Sequence, residues 1–136
     1  MITEMLSMLD HKAQVMWATD CAGHVLAYFT DKFPTDIRPE RAIEAGRAWI
    51  RGEISTGEAR KAAFASHAAA RDTHDAAACA VARAAGHAAA TAHVSGHAVH
   101  AAVYSIKALV YAGFDPISEQ NWQIQHLNNL IENKNR

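Results

Sequence analysis

The chain is short of the residues that break helices or staple loops. Its 136 residues include three prolines, seven glycines and two cysteines. Residues 59–112 contain no proline, and only Gly86 and Gly96 interrupt them. Two cysteines are too few for a disulfide framework, and Cys21 and Cys79 both sit among apolar neighbours, as small buried thiols do. A reduced, cytoplasmic protein is therefore expected. Charge of one sign is also missing: 13 Lys and Arg face 14 Asp and Glu. Without a global field to draw nucleic acid, acidic lipid or an acidic substrate, any polar partner must be recognised locally. Long hydrophobic runs are absent, because His, Arg, Lys or Asp recur before the roughly 20 apolar residues of a membrane span accumulate. Residues 1–10 carry Glu4 and Asp10 but neither a basic leader nor an apolar stretch of adequate length, so no secretory signal is read there. Period-two alternation, the strand signal, does not occur.

What is abundant is alanine, with histidine set into it between residues 59 and 112. Small side chains on successive turns let helices approach closely, which predicts an all-α, compact single-domain bundle with an Ala-rich, tightly packed core. Start and stop signals give five or six helices. Asp10 caps the first, which carries Leu9, Ala13, Met16, Trp17, Val25, Tyr28 and Phe29 at helical spacing and runs to about Phe33, where Pro34 stops it. Pro39 opens the second, through Ile43, Arg47 and Ile50, and Gly52 ends it. Ser55 and Glu58 form a capping box for a third that ends near Arg71. Thr73 or Asp75 caps a fourth reaching about His93, and Ser95 with Gly96 provides either a kink or a fresh start for a fifth ending at Gly113. Whether the fourth and fifth are one bent helix stays open. After a turn at Pro116, Trp122, Leu127, Leu130 and Ile131 mark a last helix over about residues 117–132, followed by a polar tail at residues 133–136.

Three polar features stand out against this background. His93, His97 and His100 fall at i, i+4 and i+7, so on one continuous helix they share a face, which continues through Tyr104, Lys107 and Tyr111. With Asp20 from a neighbouring helix they are a candidate ligand set for zinc or another transition metal. The same stripe also reads as a polar face meeting a neighbouring helix or a protein partner, and no cofactor is the simpler expectation. Asp20 itself lies between Met16, Trp17 and Val25, where a carboxylate requires a partner such as His24, or a His or Arg from another helix. His67 and His87 are islands among alanines, read as imidazoles bonded to a carbonyl or a carboxylate. Cys21 beside His24 suggests a nucleophile and base only by proximity, with no oxyanion donors to complete them. Arg38, Arg41, Arg47 and Arg51 alternate with Asp36, Glu40, Glu44 and Glu53, as a solvated ion-pair face does. Neither a glycine-rich phosphate loop, a Gly-x-Ser-x-Gly elbow, a Cys-x-x-Cys pair nor a His-Glu-x-x-His motif occurs, so an enzyme reading lacks its usual warrants.

Several runs together carry a family likeness. They are Trp17-Ala18-Thr19-Asp20-Cys21-Ala22, Arg38-Pro39, Ala42-Ile43-Glu44-Ala45 with Arg47-Ala48-Trp49, Gly52-Glu53-Ile54, the surroundings of His67, Ala84-Ala85-Gly86-His87, Thr91-Ala92-His93-Val94 and His97-Ala98. In order and spacing this pattern, over about residues 12–112, resembles the small bacterial immunity proteins with an immunity-protein-five-like domain, associated with polymorphic toxin systems. The resemblance implies a helical cytoplasmic protein that binds and neutralises a cognate toxin and has no catalysis of its own. Asp20, His67, His87, His93 and His97 are the polar positions inside the pattern, sharing either a buried network or a site. Residues 114–136 fall outside it. Two readings of other classes remain: a metal-binding protein or metal-dependent enzyme using the His cluster, and a module that self-associates as a homo-oligomer through its alanine faces.

Overall fold

The computed structural model describes residues 1–134. Among them the chain forms eight helices and no strand: α1 (Ile2–Leu6), α2 (His11–Val25), α3 (Ala27–Thr30), α4 (Arg38–Ile50), α5 (Thr56–Arg71), α6 (Ala76–Ala90), α7 (His97–Tyr111) and α8 (Ile117–Lys134). The centre of the bundle is α6, which packs against α2, α3, α4, α5 and α7. Ten of its fifteen residues are buried, so nearly every side must accept a neighbouring helix, and alanine is the side chain that permits this. The neighbours fill the space with larger groups: Trp17, Phe29, Val15, Val25 and Leu127 are all fully buried. At Gly46 the approach of α4 to α2 is tight enough that a Cβ would stand 2.6 Å from Cγ2 of Thr19.

The last helix, α8, is fastened by a relay of buried polar groups. Nε1 of Trp17 donates to the Gln123 carbonyl at 3.0 Å, and Nε2 of Gln123 donates to the Ala102 carbonyl at 3.1 Å, so α2, α8 and α7 are tied together. Among the described residues, every buried side-chain nitrogen or oxygen has a hydrogen-bond partner. No described helix is long and apolar enough to cross a membrane.

Most of the expected signals are used. Asp10 caps α2, accepting from the Ala13 N–H at 2.8 Å, and the Ser55–Glu58 capping box is complete. Gly52 (φ 75°) and Gly113 (φ 92°) end α4 and α7 in the left-handed region. At both ends the crossed bonds of a Schellman turn form, Glu53 N–H to Ala48 O and Phe114 N–H to Leu109 O. Asp75, not Thr73, caps α6.

Three differences take the count from five to eight, the last of them settling the alternative left open between the fourth and fifth helices. A short α1 precedes Asp10. The first helix tightens at Leu26, whose N–H bonds to Gly23 O, three residues back, and so divides into α2 and α3 short of Phe33. Helices α6 and α7 are separate. Helix α6 stops at Ala90 and His93 lies in the following turn, where the Thr91 carbonyl accepts Nε2–H of His11 at 2.6 Å. Gly96 then begins α7 without a side-chain cap. Of the expected polar tail, Asn133 and Lys134 belong to α8, and Asn135 and Arg136 lie outside the described residues.

Candidate functional site

Of the polar residues singled out in the sequence, Asp20 and His24 line one recess and His67, His87 and Tyr104 another, with no lining residue in common, while His93, His97 and His100 line neither. Asp20 and His24 belong to the first, a groove of about 710 Å³ between α2, α4 and α8. Asp20 does not pair with His24. Its Oδ2 accepts Nε2–H of His126 at 2.8 Å, and its Oδ1 lies 3.4 Å from Nη2 of Arg47. His24 instead donates from Nδ1 to Oε1 of Glu119 at 2.9 Å. Trp122 stacks with both imidazoles, its ring centroid 3.4 Å from that of His24 and 5.1 Å from that of His126. Two His–carboxylate pairs and one indole thus bind α8 to α2. Sequence reasoning missed His126, Glu119 and this use of Trp122. The spacing of Trp122 and His126, one turn apart on an apolar face, was the available signal.

Two of the four arginines of the basic series, Arg38 and Arg51, pair with interleaved acids, whereas Arg47 turns to Asp20. Arg38 pairs with Asp36 at 2.7 Å and with Asp72 at 3.0 Å, and Arg51 pairs with Glu44 and Glu53, each at 2.7 Å. Cys21 has no exposed surface, and burial, followed by the Glu119 and Asp20 charges, pushes its thiol well above the ordinary range. It presents no thiolate to a substrate.

The second recess, about 580 Å³, opens between α5, α6 and α7 and is lined by Phe64, His67, Arg71, Arg83, His87 and Tyr104. His87 is its hub. The ring centroids of His67, His97, His100 and Tyr104 lie 5.0, 5.2, 5.2 and 5.4 Å from that of His87, and the Tyr104 ring is stacked on it at 8°. Nδ1 of His87 and Nδ1 of His97 are 3.0 Å apart, so one of the two carries a proton and donates it to the other. Arg83 Nη1 donates to Nδ1 of His67 at 3.2 Å, which requires that nitrogen to be unprotonated. The α6 backbone makes room for this ring: a Cβ on Gly86 would stand 2.7 Å from Cε1 and Nε2 of His67.

Burial first, followed by Arg83 and Arg71 for His67 and by the surrounding imidazoles for His87, holds both rings down to about 4, and burial lowers His97 in the same direction. At neutral pH the hub is therefore uncharged, while Arg71 and Arg83 at its rim are cationic.

The candidate metal ligands are not gathered. His93 sits exposed in the turn before α7, His97 and His100 stand with ring centroids 6.3 Å apart, and Asp20 is engaged by α4 and α8. Among the described residues, no group of three or more His, Cys, Asp or Glu side chains is placed to hold a metal ion.

An alanine-cored helical bundle with two polar recesses on its surface is the class that these observations define. The family model described as Imm-5 like putative immunity protein matches residues 4–130, and the chain belongs to that family. The match extends beyond residues 12–112 and takes in most of α8. No curated protein and no solved structure matches the chain.

Proposed function

We infer that the protein binds a cognate bacterial toxin in the cytoplasm and neutralises it by occlusion, without catalysis of its own. Membership of an immunity-protein family supports this reading, and one structural observation carries it: the surface of α5, α6 and α7 offers groups that the protein itself leaves uncommitted. Phe64 is 58% exposed beside the second recess, with the Arg60 guanidinium 5.0 Å from its ring centroid. Lys107 lies over the Tyr104 ring at 4.9 Å. Aromatic side chains and arginine are the groups enriched at protein interfaces. In the first recess, in contrast, Asp20, His24 and His126 are already paired, joining α8 to the bundle.

The test is co-expression with a toxin-like open reading frame found beside this gene. Rescue of growth together with co-purification of the two chains is the expected result. A toxin that kills equally with and without this protein overturns the reading.

A further inference from the structure

Outside the groove that holds α8, the protein concentrates cationic and cationisable groups in one place without countering them. The tract over residues 59–112 contains only two carboxylates, Asp72 and Asp75, both in the turn between α5 and α6. Both are already engaged: Asp72 with Arg38 and Asp75 with Lys32 at 2.6 Å. Apart from Phe64, every side chain lining the recess is a cation, an imidazole or a phenol. Helix α5 contributes His67 and Arg71, α6 contributes Arg83 and His87, and α7 contributes Tyr104, with His97 and His100 against His87 and Lys107 over the Tyr104 ring. Among the described residues, no ion pair involves Arg71, Arg83 or Lys107; Lys12, Arg41, Arg60, Lys61 and Lys134 also lack one but do not line this recess, and Lys32, Arg38, Arg47 and Arg51 are paired. The best polar contact that Arg83 finds is the lone pair of an imidazole, a weaker acceptor for guanidinium than a carboxylate. The near-zero net charge hides this segregation.

We propose that the recess between α5, α6 and α7 receives an acidic segment of the toxin, with a carboxylate seated against Arg83, Arg71, His67 and His87. The proposal rests on the reading of the chain as a toxin-binding protein and adds the chemistry of the partner. Two features fit a protein carboxylate. Arg71 and Arg83 supply planar donor forks from two adjacent helices, and exposed Phe64 gives an apolar side chain of the partner a place beside them. The recess also predicts a proton linkage. None of the charges acting on His67 or His87 is a carboxylate, so an arriving carboxylate supplies the first opposite charge and favours their protonated forms. Binding therefore takes up protons and is tighter at mildly acidic pH than at neutral pH.

The probe is a synthetic octaglutamate peptide, compared with octalysine and with inorganic phosphate, titrated into the whole protein at low salt. Ring-proton NMR signals of the histidines and calorimetry in two buffers of different ionisation enthalpy provide the readouts. Octaglutamate is expected to shift the His67 and His87 signals with net proton uptake, and R71E/R83E is expected to weaken binding by at least about tenfold. Both arginines sit at the rim, and an unchanged circular dichroism spectrum confirms that the variant folds. Binding that survives R71E/R83E, or that shifts His24 and His126 instead, overturns the proposal. Equal affinity for inorganic phosphate also overturns it, in favour of a small-anion site. The toxin separates the two levels: a toxin that binds wild type and R71E/R83E equally removes the acidic contact and leaves the immunity reading standing. A toxin that binds neither removes the immunity reading, whatever the peptide does.

Discussion

His126 and Asp20 are 106 residues apart in the chain and 2.8 Å apart in the structure, Nε2 to Oδ2. This bond and its counterpart between His24 and Glu119 flank Trp122 and hold α8 against α2. Replacing His126 with Ala leaves Asp20 with only the longer Arg47 contact. The expected loss is about 1 kcal/mol, at the low end for a charged hydrogen bond because the groups are partly exposed. Amide hydrogen exchange should show faster opening confined to α8. Exchange that rises equally in α6 would contradict the assignment of this pair to fastening α8.

The contact between Gly46 and Thr19 predicts a cost for an otherwise helix-favouring change. Alanine at 46 gains about 1 kcal/mol in helix propensity, but its Cβ meets Cγ2 of Thr19 at 2.6 Å. Thr19 is fully buried and its hydroxyl is held by the Val15 and Met16 carbonyls, so the methyl cannot swing away freely. Overpacking of about 1–3 kcal/mol should prevail, and G46A should lower the midpoint of urea unfolding. T19S removes the methyl and keeps the hydroxyl, and in that background G46A should cost much less. Additive effects of the two changes would contradict a direct clash.

Stability should depend on pH through the second recess, and the sign follows from its neutral imidazoles. His67 and His87 titrate near 4 in the folded chain against 6.5 for an ordinary imidazole. Above pH 6.5 both states are neutral and the protein keeps its full stability. As pH falls from 6.5 towards 4 the unfolded chain takes up protons that the folded chain refuses, so stability is lost across that window. Thermal unfolding at pH 7 and pH 5 should show a lower Tm at pH 5, with a smaller drop in H67N/H87N. An equal drop in that variant would place the titrating groups elsewhere.

Gly86 tests the same recess from the backbone side. In G86A the new Cβ must push the His67 ring away from Arg83, since it would otherwise stand 2.7 Å from Cε1 and Nε2. The displaced group is the far end of a side chain and the change gains about 1 kcal/mol of propensity, so net stability should move little. The His67 ring should become more exposed, and its titration by NMR should rise towards 6.5. An unmoved titration would mean that the ring does not depend on the space at Gly86.

Legibility of the sequence followed the range of the interactions. Local signals survived: the Asp10 cap, the Ser55–Glu58 box and the stops at Gly52 and Gly113 each act within a turn of their own residue. Alanine-rich text pointed to a buried helix, and α6 is that helix. Long-range choices could not be read. Helix α6 ends where His11 reaches the Thr91 carbonyl across 80 residues, and His93 lies off the helix that was to align it with His97 and His100. Asp20 advertised its need for a partner, but the suppliers, Arg47 and His126, lie on other helices. The histidine hub is likewise tertiary, because it joins His67 of α5 and His87 of α6 to the α7 stripe that periodicity alone could show.

The most direct measurement is hydrogen exchange of the whole chain with and without the toxin encoded beside it. Protection should concentrate on α5, α6 and α7 around residues 64–71, 83–87 and 97–107, and the α2–α4–α8 groove should be unchanged. Failure to form a complex, or protection confined to that groove, would contradict toxin binding through the histidine-lined face.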